Sequence, residues 1–286
     1  MNNIIDDLKF QYRIGGIANK MIYWNVGFFV IPEVFFAIAR LFHVNIDYLS
    51  FVSLSTNLAD LKWKPWSILS YAFFHYGFLH LFFNMMVLNF SSRLFLTFFT
   101  QKQYLGLYFM SAIFAGLCFI ASFYLLHQTS NMVGASAAIM ALLVATTTYK
   151  PLMEIRLLLI GNVKLWHITG VLLLLDLLQI QMENTGGHIA HLSGAFFGYI
   201  YIKLLQNGTD LSRIVNAVID LFTQKKATPF KRVHVNPKKP TVKRESKIVL
   251  KDKTQQQLDE ILDKISQSGY DSLTSEEKEF LFKTGK

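Results

Sequence analysis

Six apolar runs, at residues 21–42, 75–98, 103–126, 134–149, 165–180 and 187–206, constrain this chain more than any other feature. Most approach the length of about 20 residues that a helix needs to cross the hydrocarbon core of a bilayer. Only 16% of the 286 residues are charged, against about 25% in an ordinary soluble protein. The pattern predicts an all-α polytopic membrane protein, a bundle of six transmembrane helices over residues 21–206. No signal peptide is evident, because the polar stretch MNNIIDDLKFQYRIGGIANK comes first and no small-residue cleavage site follows the first run.

Lysine and arginine set an orientation. If six segments alternate, Lys9, Arg13, Lys20, Arg93, Lys102, Lys150, Arg156 and Lys164 share one side, and only Arg40, Lys62 and Lys64 take the other. The first side is therefore cytoplasmic, and both termini return to it. The net charge of +9 sits in the tail: residues 225–253 hold eleven Lys/Arg against two acids. With Pro229, Pro237 and Pro240, residues 207–253 read as a basic juxtamembrane linker attracted to anionic headgroups. No aromatic interleaving accompanies the charge, so a nucleic-acid partner is not expected. Beyond it, Thr254 with Gln257 and Thr274 with Glu277 form capping-box patterns around Gly269. They predict a cytoplasmic helical hairpin over 254–286 with an apolar stripe for packing on itself or on a cytosolic partner. The single cysteine, Cys118, rules out an internal disulfide and reads as packing.

Polar groups inside spans are costly and point to function. Here they are His80 and Asn84 in FHYGFLHLFFNMM, Ser136 in VGASAAIM, and His191 in GGHIAHLSGAFFG. Ser136 stands fourteen residues before Lys150, His191 twelve before Lys203 and His80 thirteen before Arg93. At 1.5 Å per residue these are roughly 21, 18 and 20 Å above the cytoplasmic helix ends, so the three meet at one level in the outer half of the membrane. If the fourth helix starts near Ser136, the preceding HQTSNMVG enters the bilayer as irregular backbone, which is tolerated only against protein or a water-filled cavity. Ser136 would then sit at a helix N-terminus whose free N–H groups favour an oxyanion, with Gly134 allowing the turn before it. Ser136 reads as a nucleophile, His191 as its general base, and His80, Asn84 and the Ser136 N–H as oxyanion donors. Gly194 and Gly198 would let the sixth helix approach the fourth.

These residues resemble the rhomboid family of intramembrane serine proteases. HxxxN stands as His80 to Asn84, GxS as Gly134-Ala135-Ser136, and AHxxGxxxG as Ala190-His191 with Gly194 and Gly198. Trp66 in the first loop and His75 also match. The resemblance covers residues 21–206 and implies a serine–histidine dyad without a required acid or cofactor. It implies membrane-protein substrates entering from the bilayer and a catalytic site open to the extracytoplasmic side. The tail segment LDEILDKISQSGYDSLTSEEKEFLFK is similar to tails on some bacterial rhomboids, which implies a bacterial plasma (inner) membrane. Three positions depart from the pattern: Ser67 where arginine is usual, so a loop-bracing ion interaction is absent, Ala137 for a frequent glycine, and Asn162 for a frequent proline.

Other readings compete. Ser136 in a run of small residues is alone best explained as helix packing, and only its matched depth with His191, His80 and Asn84 favours catalysis. His188, one turn from His191, is an alternative base; it reads as structural or water-contacting. Histidines 75, 80, 188 and 191 allow a metal site, but no carboxylate or cysteine joins them in sequence. Asp176 in LLLLDLLQIQ reads as a hydrogen-bonding partner of loop backbone rather than a third catalytic residue. Glu33 needs a partner that the sequence does not reveal, while His75 and Tyr76 read as braces of the first loop. A non-catalytic membrane protein that binds and escorts clients is the second functional reading. A transporter would show internal repeats, and none is apparent.

Overall fold

The structure, a computed structural model, describes residues 3–158, 160–181, 184–223 and 248–284. It is mostly helical and divides into two compact units, residues 1–225 and 226–286.

In the first unit, α1 (Ile4–Ile14) is capped by the Asn3 side chain and joins α2 (Gly16–Leu41) through Gly15 and Gly16. The polar stretch 1–20 is thus largely helical, and the first long helix starts five residues before the apolar run. After α2, the first loop folds into α3 (Leu49–Val52), β1 (Leu54–Ser55), α4 (Leu58–Trp63), α5 (Ser67–Ser70) and a 3-10 turn at Tyr71–Phe73. Then come α6 (Phe78–Phe98), α7 (Gln101–Leu125), β2 (Asn131–Met132) and α8 (Ser136–Tyr149). A hairpin of β3 (Glu154–Leu157) and β4 (Gly161–Lys164) leads to α9 (Leu165–Gln179) and α10 (Thr185–Gln206), followed by α11 (Ser212–Thr223). Each of the six apolar runs forms a helix. By length and composition α2, α6 and α7 can cross a membrane, while α8 and α9 are shorter apolar helices.

Helix α8 is the centre of the unit. Residues Ala137 to Thr146 are all buried, against α6, α7, α9 and α10. Small residues make this possible. A Cβ on Gly194 would lie 2.8 Å from the Ala137 carbonyl carbon, and one on Gly198 2.9 Å from the Ala141 Cα. The two glycines therefore set α10 backbone-to-backbone against α8, as their shared face predicts. Around this centre the core holds Tyr71, Tyr104, Tyr108 and Tyr201, each with its hydroxyl bonded, as buried hydroxyls require.

Two small antiparallel sheets interrupt the expected all-helical chain. The pairing of Leu54 with Met132 and Ser55 with Asn131 ties the first loop to the segment before Ser136. Thr56 and Ser130 extend the tie: Thr56 N–H donates to Ser130 O at 3.0 Å, and Ser130 N–H donates to Thr56 Oγ1 at 2.9 Å. The loop itself is held by Trp66 Nε1 donating to Phe51 O at 2.8 Å and Lys64 Nζ donating to Ser50 O at 2.9 Å. Ser67 is buried beside them. In the β3–β4 hairpin, Asn162 Nδ2 donates to Glu154 Oε2 at 3.4 Å. Glu33 also finds partners, the Tyr48 hydroxyl at 2.7 Å and Arg40 at 4.0 Å.

The tail differs from its expected boundaries. Residues 212–223 are helical rather than linker, and Ser212 is buried with its Cβ and backbone beside Gly106 of α7. Most of the basic stretch 225–253 lies outside the described residues. In the second unit α12 (Ile248–Ser268) begins upstream of Thr254, so Thr254 is an interior helical residue and not a cap. Gly269 (φ 78°) ends α12, and α13 (Ser275–Thr284) opens on the expected capping box. There Glu277 N–H donates to Thr274 Oγ1 at 3.3 Å, and Thr274 N–H to Glu277 Oε2 at 2.8 Å. Lys264 Nζ reaches both oxygens of Glu277 at 2.9 and 3.0 Å and holds that carboxyl below its usual range. Ile261 and Leu273 are buried, so the apolar stripe packs at least in part within its own unit.

Candidate active site

Ser136 is the first residue of α8, and the backbone entering it is irregular. The residue before, Ala135, offers no side-chain cap, so the N–H groups of the first turn are left for other acceptors. Gly134 holds the turn in place: its N–H donates to Tyr71 O at 2.8 Å and its φ is +138°. A Cβ there would press on the His80 ring at 3.1 Å, with Ser136 Oγ 3.5 Å away. This position needs glycine for both its conformation and its space.

Ser136, His80, Asn84 and His191 line one cavity of about 290 Å³, together with Gly134, Ala137 and Asn184. The count of residues from the helix ends predicted this convergence. Asn184 begins α10 in the left-handed conformation and accepts from Gly187 N–H, which brings that helix start to the cavity rim. Among the described residues no direct hydrogen bond joins Ser136 Oγ to His191, although both face the same space. Such bonds are often long before substrate arrives.

Asn84 is buried and donates one amide hydrogen to the His80 carbonyl at 2.9 Å, one turn back on α6, which leaves its second hydrogen for the cavity. His80 packs edge-to-face on His75, with ring centroids 5.0 Å apart. His75 itself is 1% exposed, and both its ring nitrogens lack a hydrogen-bond partner among the described residues. It stands behind His80 as packing. Tyr76 is the loop brace, donating to Asn131 O at 3.2 Å on the strand before Ser136. Trp66 is half-exposed and braces the first loop away from the cavity.

One expectation is overturned here. Asp176 does not bond loop backbone: its Oδ1 lies 2.8 Å from Nδ1 of His188 and 2.8 Å from Nδ1 of His191. The cause is the short α9–α10 connection. Asp176 stands three residues before the end of α9 and His188 three after the start of α10, so the antiparallel pair meets at one depth. That symmetry was the available signal. A carboxylate therefore does join two of the histidines, which changes the donor set considered for a metal. The three ligand atoms lie within 4.8 Å of one another, but the two 2.8 Å contacts already satisfy all three as hydrogen bonds.

A family model for the rhomboid domain matches residues 62–207, which is half of the chain and contains every residue of this cavity. The chain belongs to the rhomboid family. Rhomboids are generally intramembrane serine proteases, and with its apolar helices the chain is an integral membrane protein. A second model, a family of unknown function (DUF6576), matches residues 249–283, the α12–α13 unit. No curated protein matches the chain. Within the rhomboid domain α6, α8 and α10 each bring polar groups to the cavity, while α7 packs behind α8.

Proposed function

We propose that this rhomboid is an active intramembrane serine endopeptidase. The observation that carries the reading is the single cavity in which Ser136, at the open end of a buried helix, shares space with His191, His80 and Asn84. Ser136 Oγ attacks the scissile carbonyl while His191 takes its proton. The carbonyl electron pair moves onto oxygen, and that oxyanion is met by the Ser136 N–H, the free Asn84 amide hydrogen and His80. Collapse expels the amine, which receives the proton from His191 and leaves an acyl-enzyme on Ser136. Water then repeats the sequence to release the second fragment.

Six crossings fit this chemistry: α8 and α9 are short for a bilayer, but α8 is sheathed in protein. The lysine and arginine distribution supports cytoplasmic termini and a cavity open to the extracytoplasmic side, and the likeness of the tail to those of some bacterial rhomboids supports a bacterial inner membrane. Beside it lies a second cavity of about 260 Å³, lined by Phe83, Val87, Met140, Leu172 and Leu175 and shared by Ser136 and His191. It suits an apolar substrate segment arriving from the bilayer. The basic stretch near residues 225–253 would rest on anionic headgroups, with the α12–α13 unit free for a cytosolic partner.

The test is cleavage of a single-pass transmembrane reporter by purified protein, with Ser136→Ala alongside. Asn84→Ala is expected to lower kcat by roughly 10²–10³-fold, the usual effect of losing one oxyanion donor. A rate equal to wild type would remove Asn84 from that role.

A further inference from the structure

We infer that Asp176 is a positioning residue for His191, so that the site works as an aspartate–histidine–serine series and not as a serine and histidine alone. This rests on the protease reading above. An ionised carboxylate only accepts hydrogen bonds, so the 2.8 Å contact places the His191 proton on Nδ1. The Nε2 lone pair is then left as the base, which is the tautomer that deprotonation of Ser136 requires. When Nε2 takes the Ser136 proton, the carboxylate faces the new imidazolium at hydrogen-bond range and stabilises it without itself being protonated. The attraction is strong because the surroundings are poor in water: the Asp176 side chain is 11% exposed and that of His191 23%.

The alternative is that Asp176 exists to pair with His188, whose Nδ1 is equally close. The cavities separate the two histidines. Ser136 and His191 line both cavities, whereas His188 and Asp176 line only the second. Of the two histidines, only His191 shares the cavity of Ser136 with His80 and Asn84, so it is the one whose orientation by the carboxylate bears on the serine. His188 adds a second hydrogen bond to the same carboxylate, which has Leu172, Leu175 and Met140 as neighbours in that cavity, but the bond from His191 is the one that orients the base.

The experiment measures kcat, KM and thermal unfolding of the full chain on a transmembrane reporter, with Asp176→Asn, His188→Ala and Ser136→Ala. Asparagine keeps the shape but can turn its amide donor toward Nδ1 and stabilise the wrong tautomer. Asp176→Asn is expected to lose roughly 10²–10⁴-fold in kcat with little change in KM and an unaltered unfolding temperature, as in other triads. His188→Ala is expected to keep most turnover. The inference is overturned by wild-type kcat in Asp176→Asn, by a loss that only tracks loss of folded protein, or by a deeper loss in His188→Ala. An inactive Ser136→Ala beside a fully active Asp176→Asn would defeat this assignment alone; an active Ser136→Ala would defeat the protease reading with it.

Discussion

Ser136→Ala is expected to remove reporter cleavage altogether while leaving the protein folded. Nucleophile removal in a serine protease costs roughly 10⁶-fold in kcat, which takes this reaction below any practical background. The fold should survive because the Ser136 hydroxyl makes no hydrogen bond among the described residues, and alanine suits a first helical turn between Ala135 and Ala137. A fluorophosphonate gives an independent reading: wild-type protein is expected to acquire a covalent adduct on Ser136 and the variant none. Wild-type cleavage by a folded Ser136→Ala protein would show that another group is the nucleophile, and the role given to the α8 N-terminus would fall with it.

Gly194→Val is expected to produce the largest structural effect. The new Cβ would overlap the Ala137 carbonyl, whose carbon lies 2.8 Å away, and the obstacle is backbone in the first turn of α8. A flexible side chain could swing aside; this carbonyl is fixed in a helix buried from Ala137 to Thr146. Overpacking of a close-packed core costs about 1–3 kcal/mol and more where nothing can yield. Forcing α10 away from α8 also carries His191 away from Ser136. A fall in unfolding temperature together with loss of cleavage is expected. A variant as stable and active as wild type would mean that α10 does not need backbone contact with α8.

Much of this was legible in the sequence, for physical reasons that particular residues make plain. Apolar runs mark helices because a helix satisfies its own backbone in lipid, and all six runs are helical. Counting residues from Lys150, Lys203 and Arg93 placed Ser136, His191 and His80 together because helix rise is constant. What was hidden depends on connections. Asp176 was measured from its own helix end and assigned to the loop, although the short α9–α10 link aligns it with His188. The Leu54–Met132 pairing and the Thr56–Ser130 tie link residues over seventy positions apart, with no periodicity to announce them. Helix α11 was absorbed into the basic linker because no glycine or proline separates Thr223 from the lysines at 225 and 226. Its place in the fold depends instead on a distant contact, Ser212 meeting Gly106.

The burial of α8 has a consequence for the membranes in which this protein can work. A helix in contact with lipid must match its apolar length to the local hydrocarbon thickness, or tilt to make up the difference. A helix buried in protein from Ala137 to Thr146 answers to no such mismatch. When the bilayer thickens or thins, adjustment falls on lipid-facing helices such as α2, whose side chains are largely exposed. The height of Ser136 above the inner end of α8 stays constant, and the reactive centre keeps its geometry while the outer helices lean.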